Sequence, residues 1–125
     1  MDRSAADAAP RALCLCAAWC QLCTAYAVVF EDTVQRLRAD WPELASRWID
    51  IEDEADLVGD LDVETFPTLV VLRDTQVLFH GPLPPQADVL ERVVRSVLES
   101  PVAAADDAPP EAVLAFANRV AAAGF

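Results

Sequence analysis

Arg11 to Ala17 is apolar without alternation, the pattern of a strand buried on both faces. From Cys20 to about Asp40 the apolar positions change period. Tyr26, Val29 or Phe30, Val34 and Leu37 recur at helical spacing, opposite Glu31, Asp32, Gln35, Arg36 and Arg38. Trp41-Pro42 is expected to end that helix, because the residue before proline avoids the helical region. Ser46 to Glu52 alternates and predicts a second strand. Asp53 to Asp60 fits a short helix capped by Asp53. Thr68 to Arg73 and Gln76 to His80 predict a hairpin turning at Asp74-Thr75, with Gly81-Pro82 breaking its second strand. Pro85 to Ser100 is amphipathic through Val89, Leu90, Val93, Val94, Val97 and Leu98. Residues 101–110 read as a linker by composition. Glu111 to Ala122 predicts a last helix with Val113, Leu114, Phe116, Ala117 and Val120 on one side.

The order is strand, helix, strand, helix, strand, strand, helix, with one further helix. A right-handed β-α-β unit followed by a hairpin and a covering helix gives an α/β fold, one mixed sheet of about four strands between helical layers. The expected organisation is a single domain over 1–125, with a core at 11–100 and a helical extension at 101–125. The apolar stripe of that extension must cover something. The reading preferred is packing on the trimmed side of the sheet; docking a partner chain is the alternative.

Composition narrows the partners. The chain has 125 residues, a hydrophobic fraction of 54% and a net charge of −12, with no lysine. Such a surface repels phosphate backbones and anionic lipids, so neither nucleic acid nor a membrane is expected as a partner. Met1 to Pro10 is rich in Ala and Asp and is expected to fray. It carries no basic segment followed by a long apolar core, so a cytoplasmic location is expected. His80, the single histidine, is expected at the surface. The acidic run Asp50 to Asp56 lacks the glycine and distal glutamate of a calcium loop and reads as helix capping and a solvated face.

The chemistry sits in one short segment that holds all four cysteines: Cys14, Cys16, Cys20 and Cys23. A secreted disulfide scaffold would spread them along the chain; clustering favours a redox or metal site. Cys20 and Cys23 stand one turn apart where the strand gives way to a helix. A thiol on the first turn sits at the positive end of the peptide dipoles, which favours thiolate, the form that attacks disulfides. The expected reaction is dithiol–disulfide exchange, Cys20 attacking and Cys23 resolving. Cys14 and Cys16 are expected as small apolar core residues. The sharper alternative makes Cys14 a third redox thiol beneath Cys23. Four thiolates are also a donor set for Zn²⁺ or an iron–sulfur cluster, but the strand holds Cys14 and Cys16 pointing into the core, and no metal is expected.

Trp19-Cys20-Gln21-Leu22-Cys23 after an apolar strand, with Thr65-Phe66-Pro67-Thr68 before a later one, resembles the thioredoxin superfamily over Arg11 to about Ser100. The resemblance implies an exposed nucleophile at Cys20, a more buried resolving thiol at Cys23 and a cis Pro67 beside the sulfurs. It implies that Phe66 leaves backbone groups free for an extended partner segment and that Trp19 covers one side. Trp19, Phe66, Pro67 and Gly81 are then the expected substrate-binding surface. The chain departs from the family pattern at several points. Cys14 stands where a buried acid is common, and Trp48 where a lysine is usual. Gln21-Leu22 replaces Gly-Pro, and Thr24 replaces a frequent basic residue. Too few residues precede Arg11 for the usual first strand and helix. Loss of the acid is expected to slow release of a mixed disulfide, and Trp48 to raise the Cys23 thiol by desolvation.

The function expected is thiol–disulfide oxidoreduction without a bound cofactor. Its partners would be disulfide or dithiol proteins and an electron-donating reductase or small thiol. The alternatives are a non-catalytic interaction module on the same fold and a cysteine-ligated metal protein.

Overall fold

A computed structural model describes residues 9–17, 19–59, 61, 63, 66–73, 75–84, 86–99 and 110–123. The expected fraying of Met1 to Pro10 falls almost wholly outside those residues, as do Thr65, Asp74 and most of the expected linker.

Strand β1 (Pro10–Cys16) leads into helix α1 (Gln21–Leu37), and β2 (Ala45–Asp50) into the short α2 (Ala55–Val58). The hairpin β3 (Thr68–Arg73) and β4 (Gln76–Pro82) follows, then α3 (Ala87–Glu99) and α4 (Glu111–Ala123). The sheet order is β2-β1-β3-β4. β1 runs parallel to β2 and antiparallel to β3, and β3 and β4 are antiparallel with an irregularity at Val71/Leu72. The expected mixed four-stranded sheet between helices is the fold observed.

Strand alternation divides the core in two. Ala12, Cys14 and Cys16 of β1 face the same way as Leu69, Val71 and Leu78, against Tyr26, Phe30, Val34 and Leu37 of α1 and Leu90, Val94 and Leu98 of α3. Leu13, Leu15, Ile49, Val70, Leu72 and Val77 face the other way, onto Val58 and onto Val113, Phe116, Ala117 and Val120 of α4. β1 is therefore buried on both faces, which is why its sequence does not alternate. The C-terminal helix, together with Val58 of α2, covers the second face of the sheet.

Three expected boundaries move. Helix α1 stops at Leu37, before Trp41-Pro42, because the chain turns over 38–40 and the Arg38 side chain reaches back to donate to the Leu44 carbonyl at 2.9 Å. Asp53 does not cap α2. The Asp50 carboxylate accepts the backbone N–H groups of Glu52 and Asp53, which carries the chain through a turn first, and Glu54 occupies the cap position. Gly81-Pro82 does not break β4, since both residues pair with β3. Proline is tolerated there because β4 is the sheet's edge. His80 is exposed, as expected.

Candidate functional site

The carboxyl end of β1, the start of α1, the start of β3 and the end of β4 all lie at one end of the sheet. Cys16 is the last residue of β1, and the three residues 17–19 bridge it to Cys20. Cys20 is the N-cap of α1. Its backbone N–H donates to the Ala17 carbonyl at 3.0 Å, and its own carbonyl accepts the Thr24 backbone N–H at 3.2 Å and the Thr24 hydroxyl at 3.3 Å. Thr24 thus braces the cysteine from one turn away. No acidic side chain lies in the first turn of α1, so nothing there offsets the positive end of the helix.

The bonded pair is Cys16–Cys23, with 5.8 Å between Cα atoms, and Cys20 carries a free thiol. This corrects the expectation that the joined sulfurs are Cys20 and Cys23. Cys20 lies just ahead of the first helical residue and stays half-buried, whereas Cys23 has turned inward with α1 and is 1% exposed. On that inward side it meets Cys16, which shares the sheet face packed against α1. All four cysteines nevertheless fall in or against one core cluster, so the three sulfurs at the strand–helix junction form a single group.

Cys14 is not part of that bonded pair. It lies one step deeper on the same face, 1% exposed, and burial pushes its thiol up to about 12. It stands directly opposite Trp48 in the β1–β2 register, and the Trp48 ring lies 6.2 Å from Phe30 in a tilted contact. The desolvation expected at Cys23 therefore falls on Cys14 instead, Cys23 being bonded. The Tyr26 hydroxyl is buried without a hydrogen-bond partner; burial raises its pKa, and the Cys14 thiolate charge adds to the rise. The sulfur joined to Cys23 is that of Cys16, and Cys14 remains a free thiol. Cys14 and Cys16 are indistinguishable by strand parity. The available signal was that only Cys16 abuts the loop leading into the helix.

The remaining site residues converge on the same end. The Phe66–Pro67 peptide is cis. The Trp19 ring, 63% exposed, meets Phe66 edge-on with centroids 5.6 Å apart, which holds the cysteine loop against the proline loop. The Leu83 backbone N–H donates to the Pro67 carbonyl at 3.1 Å, and Gly81 lies across the hairpin from Leu69. Leu22, in the first turn of α1, is 44% exposed. Among the described residues, no group of three or more His, Cys, Asp or Glu side chains is placed to hold a metal ion. Nor is any described helix long and apolar enough to cross a membrane.

The thioredoxin family model matches residues 6–95. The chain belongs to the thioredoxin family. Among solved structures, the germline-specific thioredoxin Deadhead of Drosophila melanogaster is similar at 21% identity and a TM-score of 0.61, covering 74% of this chain and 84% of its own. Mitochondrial thioredoxin 3 of Saccharomyces cerevisiae, in its oxidised form, gives 17% identity and a TM-score of 0.55 over 74% of this chain and 82% of its own. Human ERp44 in a zinc-bound form gives 16% identity and a TM-score of 0.62 over 74% of this chain, but this chain spans only 27% of ERp44. No curated protein matches the chain. At these identities the likeness is one of fold; the family match supports a redox or interaction role of the thioredoxin kind.

Proposed function

We propose that this protein is a thiol–disulfide oxidoreductase acting on protein disulfides. The observation that carries the reading is the group of three sulfurs at the β1–α1 junction, one free and two joined, beside a cis-proline loop. From the reduced state, the Cys20 thiolate attacks one sulfur of a partner disulfide. A mixed disulfide forms and the partner's other sulfur leaves as thiolate. Cys23, one helical turn on, then attacks the Cys20 sulfur and releases the reduced partner. The partner's chain would lie along Phe66 and Pro67 with Trp19 and Gly81 at its flanks. A reductase or small thiol returns the electrons, in the cytoplasm.

The competing reading is a binding module that keeps the fold without turnover. It is favoured by Cys14, since a thiol held protonated offers no base to activate Cys23. Insulin reduction with dithiothreitol as donor separates the two. Turnover by the wild type that disappears in Cys20→Ser supports the oxidoreductase; equal rates in both support the module.

A further inference from the structure

The bonded pair and the free thiol together describe more than a two-cysteine site. Cys23 is joined to Cys16 on its inner side, while Cys20 stands one turn before it on the outer side with its thiol free. Residues three apart on a helix are neighbours, so Cys23 is within reach of both. We propose that Cys16 is a third catalytic thiol, and that Cys23 switches partner between the half-exposed Cys20 and the buried Cys16. The proposal rests on the oxidoreductase reading and deepens it.

The step is thiol–disulfide exchange and needs no outside oxidant. After a substrate disulfide has been reduced, Cys20 and Cys23 are joined. The Cys16 thiolate, its proton given to solvent, attacks the Cys23 sulfur. The Cys16–Cys23 bond forms, the Cys20–Cys23 bond breaks, and Cys20 leaves as a thiolate that takes up a proton. Sulfur oxidation states balance, since one disulfide replaces another. The consequence is that the oxidising equivalent moves into a place where substrate cannot meet it: Cys16 is fully buried and Cys23 is 1% exposed. The surface thiol is restored while the protein remains oxidised. Exchange is directed inward because the leaving thiolate at Cys20 is the solvated one, whereas a thiolate left at Cys16 would be desolvated.

Two measurements on the intact chain test this. The wild type is oxidised to equilibrium with glutathione disulfide, acid-quenched, unfolded and alkylated before and after reduction. The relay leaves Cys14 and Cys20 alkylatable and Cys16 joined to Cys23; a Cys20–Cys23 bond with Cys16 alkylatable overturns it. In the wild type, the reduced protein is mixed with insulin, quenched at intervals and mapped by mass spectrometry, with insulin turnover followed in parallel. The Cys20–Cys23 pair should appear first and give way to Cys16–Cys23 as the major species. Turnover with a Cys20–Cys23 bond that persists overturns the relay alone. Absence of turnover overturns the oxidoreductase reading and the relay built on it.

Discussion

Cys14 shows how one residue's surroundings shape the stability of the molecule. Its thiol is ordinarily near 9 and is pushed up to about 12 by burial. Below pH 9 it is neutral in folded and unfolded chains alike. Between 9 and 12 the unfolded chain loses the proton and the folded one keeps it, so stability falls as pH rises through that window. Tyr26, raised by burial and then by Cys14, acts in the same sense at still higher pH. Urea denaturation at successive pH values should show a steeper alkaline loss for the wild type than for Cys14→Ala. Tyr26→Phe removes a buried hydroxyl with no partner, and the same titration at neutral pH should show stability unchanged or raised by about 1 kcal/mol. Trp19→Ala removes an exposed ring, so insulin turnover should drop while thermal unfolding moves little. At this scale the sequence displayed the reactive segment but not its bonding. Strand parity treats Cys14 and Cys16 alike, and only the inward turn of Cys23 on α1 selects between them.

Between elements, the contact of α4 with α2 turns on one side chain. Arg119 donates to the Leu57 carbonyl at 2.6 Å and to the Val58 carbonyl at 2.8 Å, closing the carbonyl end of a single helical turn with a positive charge. The chain leaves α2 through Gly59 at φ +60°, where a Cβ would collide with the Arg119 guanidinium. Arg119→Met should lower stability by about 2 kcal/mol, the worth of charged hydrogen bonds to partly buried carbonyls. Gly59→Ala should lower it by at least about 1 kcal/mol through the left-handed backbone alone. Chemical denaturation of both variants, and of the double mutant, checks the coupling: the double should cost less than the sum of the singles. The three long helices were legible by their period and β2 by its alternation, whereas β1 and the hairpin strands were legible as short apolar runs bounded by turn residues. The start of α2 was not, because the turn closed by the Asp50 carboxylate carries the chain past Asp53 and moves the cap position to Glu54. The end of β4 was missed because an edge strand accepts the Gly-Pro that would break a central one.

As a whole, the molecule is a sheet with two unequal covers. α1 and α3 shield one face; Arg36 of α1 pairs with Glu91 of α3 at 3.5 Å, and Arg95 of α3 pairs with Asp40, in the turn after α1, at 2.5 Å. α4 contributes the other cover with four buried residues: Val113, Phe116, Ala117 and Val120. Burying each of the larger three is worth about 1.5–3 kcal/mol, so together they rival the roughly 5–15 kcal/mol by which a small domain is stable. A chain ended at residue 100 should therefore lose its cooperative urea transition or precipitate, even though every cysteine and the Pro67 loop are retained. An extension dispensable for folding would leave the midpoint unmoved.

Because the second cover comes from the last of these elements, it is also the last to leave the ribosome. Once α3 has been made and before α4 has, the nascent polypeptide holds its thiols, α1 and α3, yet one side of the sheet, lined by Leu13, Leu15, Val70 and Leu72, has only the short α2 to lie against. Chaperones that bind emerging apolar surface would find it until the final helix folds back.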